Sequence, residues 1–194
     1  MVIEDSQVRY STEHKEQTRQ KLVQSSGAIA KQGGFSATGV AGLMKAIGLT
    51  GGAFYNHFPS KDDLFSEIVR QELSNSYINL RAQSGELNRD KLRHCLDQYL
   101  SLAHLHNPQS GCAIPTLGAE IARADISVRE EAEHWLSTLH QAWATTLEDE
   151  ALAWAMLCQC VGALLVARML AGEDTRLAVL QASRGFLEKA MEQP

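Results

Sequence analysis

The chain lacks most of what would mark an enzyme, a membrane protein or a disulfide-held secreted domain. No apolar run approaches the roughly 20 residues of a membrane span. The start, MVIEDSQVRYSTEHKEQ, is polar and acidic, unlike a secretory signal. Cysteine is scarce: Cys95, Cys112, Cys158 and Cys160 are the only four in 194 residues. That is too few for a disulfide framework and fits a reducing, cytoplasmic setting. Cys158 and Cys160, two apart on one helix, point to different sides, which disfavours a bond or a chelate between them. No glycine-rich phosphate loop follows a strand, and neither G-x-S-x-G nor H-E-x-x-H occurs. His104 and His106 with His94 do not have zinc-site spacing, and no third and fourth ligand stands nearby. The expectation is a non-enzyme with no metal and no cofactor. Strand alternation, internal repeats and low-complexity tracts are missing too, which leaves an all-α chain.

Charge of one sign is also in short supply. The net charge is −5, and its distribution says more than its sum. Residues 1–61 carry seven Lys/Arg against four acids, or +3, and the remainder carries eleven against nineteen, or −8. A mildly basic N-terminal third on an acidic body fits a modest reader of nucleic acid. The length suffices for one large domain or two small ones, with ample apolar content for a core.

What is present is concentrated in residues 35–63, FSATGVAGLMKAIGLTGGAFYNHFPSKDD. Thr38 is placed to cap a helix whose apolar stripe is Val40, Leu43, Met44 and Ile47. Gly48 sits where a helix ends in a left-handed residue. Thr50 is placed to cap a second helix of about two turns through Phe54, Tyr55 and His57, which Pro59 ends. Ser60 with Asp63 is a capping-box pattern that starts a third helix at Lys61. Gly51 and Gly52 cost about 1 kcal/mol each in a helix interior, somewhat less near an end. Followed by Ala53, they let a backbone approach another surface closely. Lys61 opposes the dipole of its own helix, which makes sense if an anion binds beside it. This spacing fits a DNA-reading helix-turn-helix and equally an ordinary turn in a helical bundle.

The combination of Gly34, Phe35, Thr38, Val40, Leu43, Ile47, Gly48, Leu49, Thr50, Gly52, Ala53, Tyr55, His57, Phe58, Ser60, Lys61 and Leu64 resembles the N-terminal DNA-binding domain of the TetR family of transcriptional repressors. The match covers about the first third of the chain. The resemblance implies an N-terminal three-helix helix-turn-helix domain (residues 1–60) and a C-terminal helical ligand-binding and dimerisation domain (residues 61–194), about nine helices in all. It implies phosphate contacts from Thr38, Thr50, Tyr55, His57 and Lys61, with Lys45 a further candidate. Gly51, Gly52, Ala53 and Asn56 would then meet base edges or the nearby backbone. Position 41, often long and polar in relatives, is alanine, and position 51, often basic, is glycine. Few side chains remain for bidentate base contacts, so Asn56, His57, thymine contacts from Ala53 and DNA shape would carry specificity.

Along the chain, periodicity predicts helices over residues 12–32, 60–83, 87–105, 112–123, 126–147, 151–171 and 175–191, after about ten frayed residues. The segment from Ala151 is small-residue-rich and nearly uncharged until Arg168. It reads as a core helix buried on all sides, or as a dimer face made by Gly162, Ala163, Val166, Ala167 and Leu170 together with Phe186. The family resemblance implies a homodimer on a palindromic double-stranded operator, released by an unknown small-molecule effector, with no membrane partner. Effector-pocket candidates are Tyr99, His104, His134, Trp135, His140 and Trp143, although tryptophans at helical spacing also serve as plain core. Cys112 follows Gly111 at a helix N-terminus, which lowers a thiol's pKa. Its segment, GCAIPTLGAEIAR, resembles a glycine-cysteine motif of family branches that include electrophile sensors. Two other readings are a redox- or electrophile-sensing regulator acting through Cys112, and a helical binding or adaptor protein whose head no longer reads DNA.

Overall fold

A computed structural model describes the backbone of residues 4–84 and 87–192, and the side chains of residues 12–76 and 87–192. The described residues are helical, without a strand. The first helix, α1 (Glu4–Gly33), starts earlier than the position near residue 12 that periodicity suggests. Leu22, Val23, Ser26 and Ala30 form its inner face. It stops at Gly34, whose φ of +88° no β-carbon-bearing residue adopts cheaply.

Helix α2 (Val40–Ala46) buries Leu43 and Met44. Its N-cap is Gly39, and no side chain caps it, which corrects the expectation for Thr38. Gly48, at φ +76°, ends the helix as expected, and the Leu49 amide turns back to the Met44 carbonyl at 3.0 Å. Thr50 stands at the next N-cap but makes no side-chain cap either, and residues Gly51–Asn56 form a 3-10 turn in place of the expected α-helix. Two adjacent glycines make an isolated α-turn costly. Phe54, fully buried, anchors the segment instead, and burying such a ring contributes about 1.5–3 kcal/mol. Ser60 then caps α3 (Lys61–Ser84): its hydroxyl accepts from the Asp63 amide at 3.1 Å and donates to the Asp63 carboxylate at 2.7 Å. Tyr77 and Leu80, expected on faces of α3, lie outside the described side chains.

The body follows as α4 (Arg89–Tyr99), α5 (Leu102–His106), a 3-10 turn (Pro108–Ser110), α6 (Ile114–Ile121), α7 (Ile126–Leu147), α8 (Glu150–Met169) and α9 (Glu173–Glu192). The single helix expected over residues 87–105 is broken. Leu100 leaves helical geometry, and Ser101 caps α5 by accepting from the His104 amide at 3.1 Å. Helix α3 packs along α7, α7 on α8, and α8 on α9. Arg89, at the start of α4, donates to the Met191 carbonyl of α9 at 2.8 Å and to the Leu147 carbonyl of α7 at 2.9 Å. One guanidinium thus closes the C-terminal ends of two helices.

Helix α8 corrects two expectations. An 18-residue window of it has a mean hydropathy of 1.7, long and apolar enough to cross a membrane by composition. Its buried positions are Ala153, Met156, Leu157, Cys160, Ala163, Leu164 and Ala167, which form one helical stripe. Trp154, Leu165, Val166 and Met169 are exposed on the rest of the helix, so it is not buried on all sides.

The apolar interior forms two clusters. One joins Leu22, Leu43, Phe54 and Leu64 to Leu117 and Ile121 of α6 and Val128 of α7. The other gathers α4 with α8, α9 and the end of α7. The head's core therefore continues without a break into α6. Gly48 has open space where a β-carbon would go, so Gly48→Ala incurs backbone strain alone. We expect it to cost about 1–2 kcal/mol. Gly33, equally open but without a positive φ, should tolerate alanine or gain up to about 1 kcal/mol. Urea unfolding of the two variants checks the contrast.

Candidate nucleic-acid interface and an internal cavity

The outer surface of the head is made by α2 and the 3-10 turn. Lys45, Thr50, Gly52, Tyr55 and Asn56 are exposed, whereas Thr38, Gly51, Ala53, His57 and Lys61 are half-buried. Tyr55 is the most open, at 68% exposure, and its ring meets Phe54 edge-on at 5.3 Å. A β-carbon on Gly51 would lie 3.5 Å from Ala41 Cα, so the small residues at 41 and 51 let the turn rest against α2. Gly52 faces open space. His57 has its pKa lowered, first by burial and then by Lys15 and Arg19, and its Nδ1 has no hydrogen-bond partner among the described residues. Arg19 lies over the Phe58 ring at 4.6 Å.

Lys61 needs no anion to explain it. Its Nζ donates to the Phe35 carbonyl at 2.9 Å and sits over the Phe35 ring at 4.5 Å, and that ring stacks on Phe65. Glu120 of α6 holds the same turn. One carboxylate oxygen accepts from the Phe35 amide at 2.8 Å, and the other accepts from the Ser36 amide at 2.7 Å and from the Ser36 hydroxyl. Burial alone would raise the pKa of Glu120. The Ser36 and Phe35 hydrogen bonds, with Lys61 nearby, outweigh it and hold the carboxyl below its ordinary value.

Between α1, α3 and the helices of the body lies a cavity of about 870 Å³. Four of the expected pocket residues line it: Tyr99, His104, Cys112 and Trp143. Trp135, His134 and His140 do not. Trp135 Nε1 bonds Glu131 at 2.9 Å, with His134 edge-on to its ring, and His140 bonds the Glu150 carbonyl at 2.9 Å and stacks on Trp154 at 4.2 Å. Cys95, Cys158 and Cys160 also reach the wall, as do Trp154 and the pair Lys31–Glu72, none of which sequence spacing marked as pocket residues.

His104 organises the end of the cavity nearest the head. Its Nδ1 lies 2.8 Å from the Tyr99 carbonyl, and its Nε2 accepts from the Cys112 amide at 3.0 Å. The two contacts require a proton on Nδ1 and none on Nε2, which is the neutral ring. Burial lowers its pKa further, more than the Tyr99 contact raises it. A β-carbon on Gly111 would fall 2.3 Å from this imidazole, so only glycine fits there. The Gly111 carbonyl accepts from Lys31 at 3.3 Å, and Lys31 pairs with Glu72 at 2.7 Å.

Cys112 departs from expectation. Helix α6 starts at Ile114, two residues later than the cysteine, with Ala113 as its cap. Burial raises the thiol's pKa more than its contacts with Tyr99 and Ile114 lower it.

A helix-turn-helix head fused to a helical body with an internal cavity is the class of protein this geometry defines. Residues 27–68 match the model of the bacterial regulatory proteins, tetR family. Those residues, which hold the turn and both short head helices, carry the likeness to TetR-type regulators. It is 41% identical over 70 residues to the HTH-type transcriptional regulator AcrR of Shigella flexneri, a match spanning 36% of this chain and 32% of that protein. It is 28% identical over 150 residues to the HTH-type transcriptional repressor NemR of Escherichia coli strain K12, 74% of each chain. Among solved structures, reduced E. coli NemR superposes with a TM-score of 0.76 at 21% identity, covering 89% of this chain and 96% of that one. A TetR-family regulator from Agrobacterium tumefaciens gives 0.77 at 19%, covering 90% and 98%. These relatives are regulators, not enzymes.

Glu72→Ala should destabilise the fold by about 3 kcal/mol, because it removes the ion-pair partner of a lysine only 6% exposed. Replacing both partners by Met should recover much of that loss in the same denaturation assay. Alkylation followed by mass spectrometry should modify exposed Cys158 first, and Cys112 slowly, with a rate still rising above pH 9.

Proposed function

We propose that the protein is a TetR-type repressor that binds a palindromic operator as a homodimer in the cytoplasm and leaves it when a small molecule enters the cavity. The observation that carries this reading is the family-matched head, with Lys45, Thr50, Tyr55 and Asn56 all exposed. Thr38, Gly51, Gly52, Ala53, His57 and Lys61 complete the proposed contact surface. Lys61 would exchange its hold on Phe35 for a phosphate, or hold both.

The dimer is supported by the free apolar face of α8 and α9, where Leu165, Val166, Met169 and Phe186 are 43%, 46%, 76% and 59% exposed. Ala163 and Ala167 turn into the protein's own core, and Gly162 lines the cavity, so the face is built differently from the small-residue seam expected. Two-fold symmetry would place the two heads in successive major grooves about 34–36 Å apart, or a multiple of it.

The cavity wall suggests a neutral effector. Its one cation and one carboxylate, Lys31 and Glu72, neutralise each other, and both nitrogens of His104 are engaged. An ion entering would shed water without a counter-charge. A second reading makes Cys112 a redox sensor, favoured by the likeness to a repressor solved in its reduced form. The raised pKa of the thiol counts against a preformed thiolate there.

Selection of operators from random duplexes tests the reading directly. It should yield a palindrome. Lys61→Ala should bind more weakly, with a salt slope shallower by about one, and Tyr55→Phe should weaken binding without changing the slope. Failure to enrich any sequence would leave the adaptor reading ahead. Met169→Glu with Phe186→Glu should give monomers in sedimentation and lose the operator.

A further inference from the structure

The exposed reading surface holds few side chains able to choose between bases, so where the head is held matters as much as what it carries. The head segment 34–60 is tied to the body beyond residue 84 by hydrogen bonds to one side chain, Glu120 of α6, among the described residues. Both carboxylate oxygens are used. They take the Phe35 amide, the Ser36 amide and the Ser36 hydroxyl, all in the turn between α1 and α2. Gly34 makes room for this grip: a β-carbon there would sit 2.8 Å from Glu120 Oε1. Lys61 holds the same turn through the Phe35 carbonyl.

The other end of α6 belongs to the cavity. Ile114 lines the wall, and the preceding Gly111 and Cys112 are fixed by His104 and Lys31. Helix α6 is eight residues, about 12 Å, of rigid connection between the two.

We propose that Glu120 is a positioning residue that sets the angle of the reading head on the body, and hence the half-site separation that the protein accepts. The proposal rests on the DNA-binding, dimeric reading above. A grip on backbone amides suits this role, because it holds the turn wherever α6 places it and leaves the reading side chains free. Glutamine cannot substitute, since its amide nitrogen would meet an N–H donor, and aspartate is one methylene too short to reach.

The test uses the full-length protein in two arms. Without DNA, hydrogen exchange should show the Phe35 and Ser36 amides, and α2 after them, exchanging about tenfold faster in Glu120→Ala than in wild type. Ser36→Ala, which removes one donor and leaves the fold least disturbed, should give an intermediate effect. With DNA, the selected operator is rebuilt with its half-sites moved by one and two base pairs either way. Wild type should prefer one spacing. Glu120→Ala and Glu120→Gln should bind that spacing about tenfold more weakly and bind the others nearly as well, so that the preference flattens. Unchanged exchange at Phe35 and Ser36 overturns the grip whatever happens with DNA. A uniform loss across all spacings overturns the positioning role and leaves a merely structural contact. If wild type enriches no duplex, the repressor reading fails, and the exchange arm still decides the grip.

Discussion

A lysine ammonium nearly sealed inside an apolar interior must be answered by an opposite charge, and the pairing of Lys31 with Glu72 at 2.7 Å meets that requirement. The pair brings together the last turn of α1, the middle of α3 and, through the Gly111 carbonyl, the loop before α6. Gly27 is bound up with it, because a β-carbon at that position would fall 2.8 Å from Glu72 Oε1. The pair also forms part of the cavity wall. Moving any one of these three elements stretches a charge-assisted bond in a low-dielectric site, where the loss is largest. The head, α3 and the cavity are thus connected by more than apolar contact.

Local features were legible in the sequence where partners are close in the chain. Gly48 and the Ser60–Asp63 cap depend on neighbours within a few residues, and both hold. The bounds of α7 follow from simple periodicity. Thr38 failed as a cap because Gly39, already extended, starts α2 one residue later. The break at Leu100 escaped periodicity because apolar spacing continues through it while Ser101 begins a new helix. Cys112 was misread for a related reason: the dipole argument needs a helix end, and the helix starts beyond it.

The contacts that join the head to the body were hidden because they link distant parts of the chain. Glu120 and Ser36 are 84 residues apart, and Lys31 and Glu72 are 41 apart. No periodic pattern marks such pairs. Gly34 was a visible trace of one of them, since a glycine beyond the end of α1 signalled a turn, but not the carboxylate that fills the space. Trp154 went unmarked as a cavity residue because α8 is apolar on every side, and only packing reveals which face is inside. Four of the seven pocket candidates line the cavity for the converse reason. Tyr99, His104, Cys112 and Trp143 converge from three parts of the chain, whereas His134 and Trp135 share a helix with Trp143 but face elsewhere.

A head with alanine at 41 and glycines at 51 and 52 has little means of discriminating bases through bidentate hydrogen bonds. Under the proposed reading, such a surface would meet DNA chiefly through groove shape and the distance between half-sites, and both demand that the head be held rigidly. The fold meets that demand in layers. Phe54 and Phe58 fix the turn within the head, Phe35 stacked on Phe65 fixes the head on α3, and the apolar cluster carries that packing into α6. Apolar packing sets distance well but resists sliding poorly, because its energy depends little on direction. The hydrogen bonds that the Phe35 amide donates to Glu120 and that Lys61 donates to the Phe35 carbonyl are directional, and they hold one turn at both ends of one residue. The economy of side chains on the reading surface and the directional grip behind it are therefore parts of one arrangement: what the head gives up in contacts, its placement must supply.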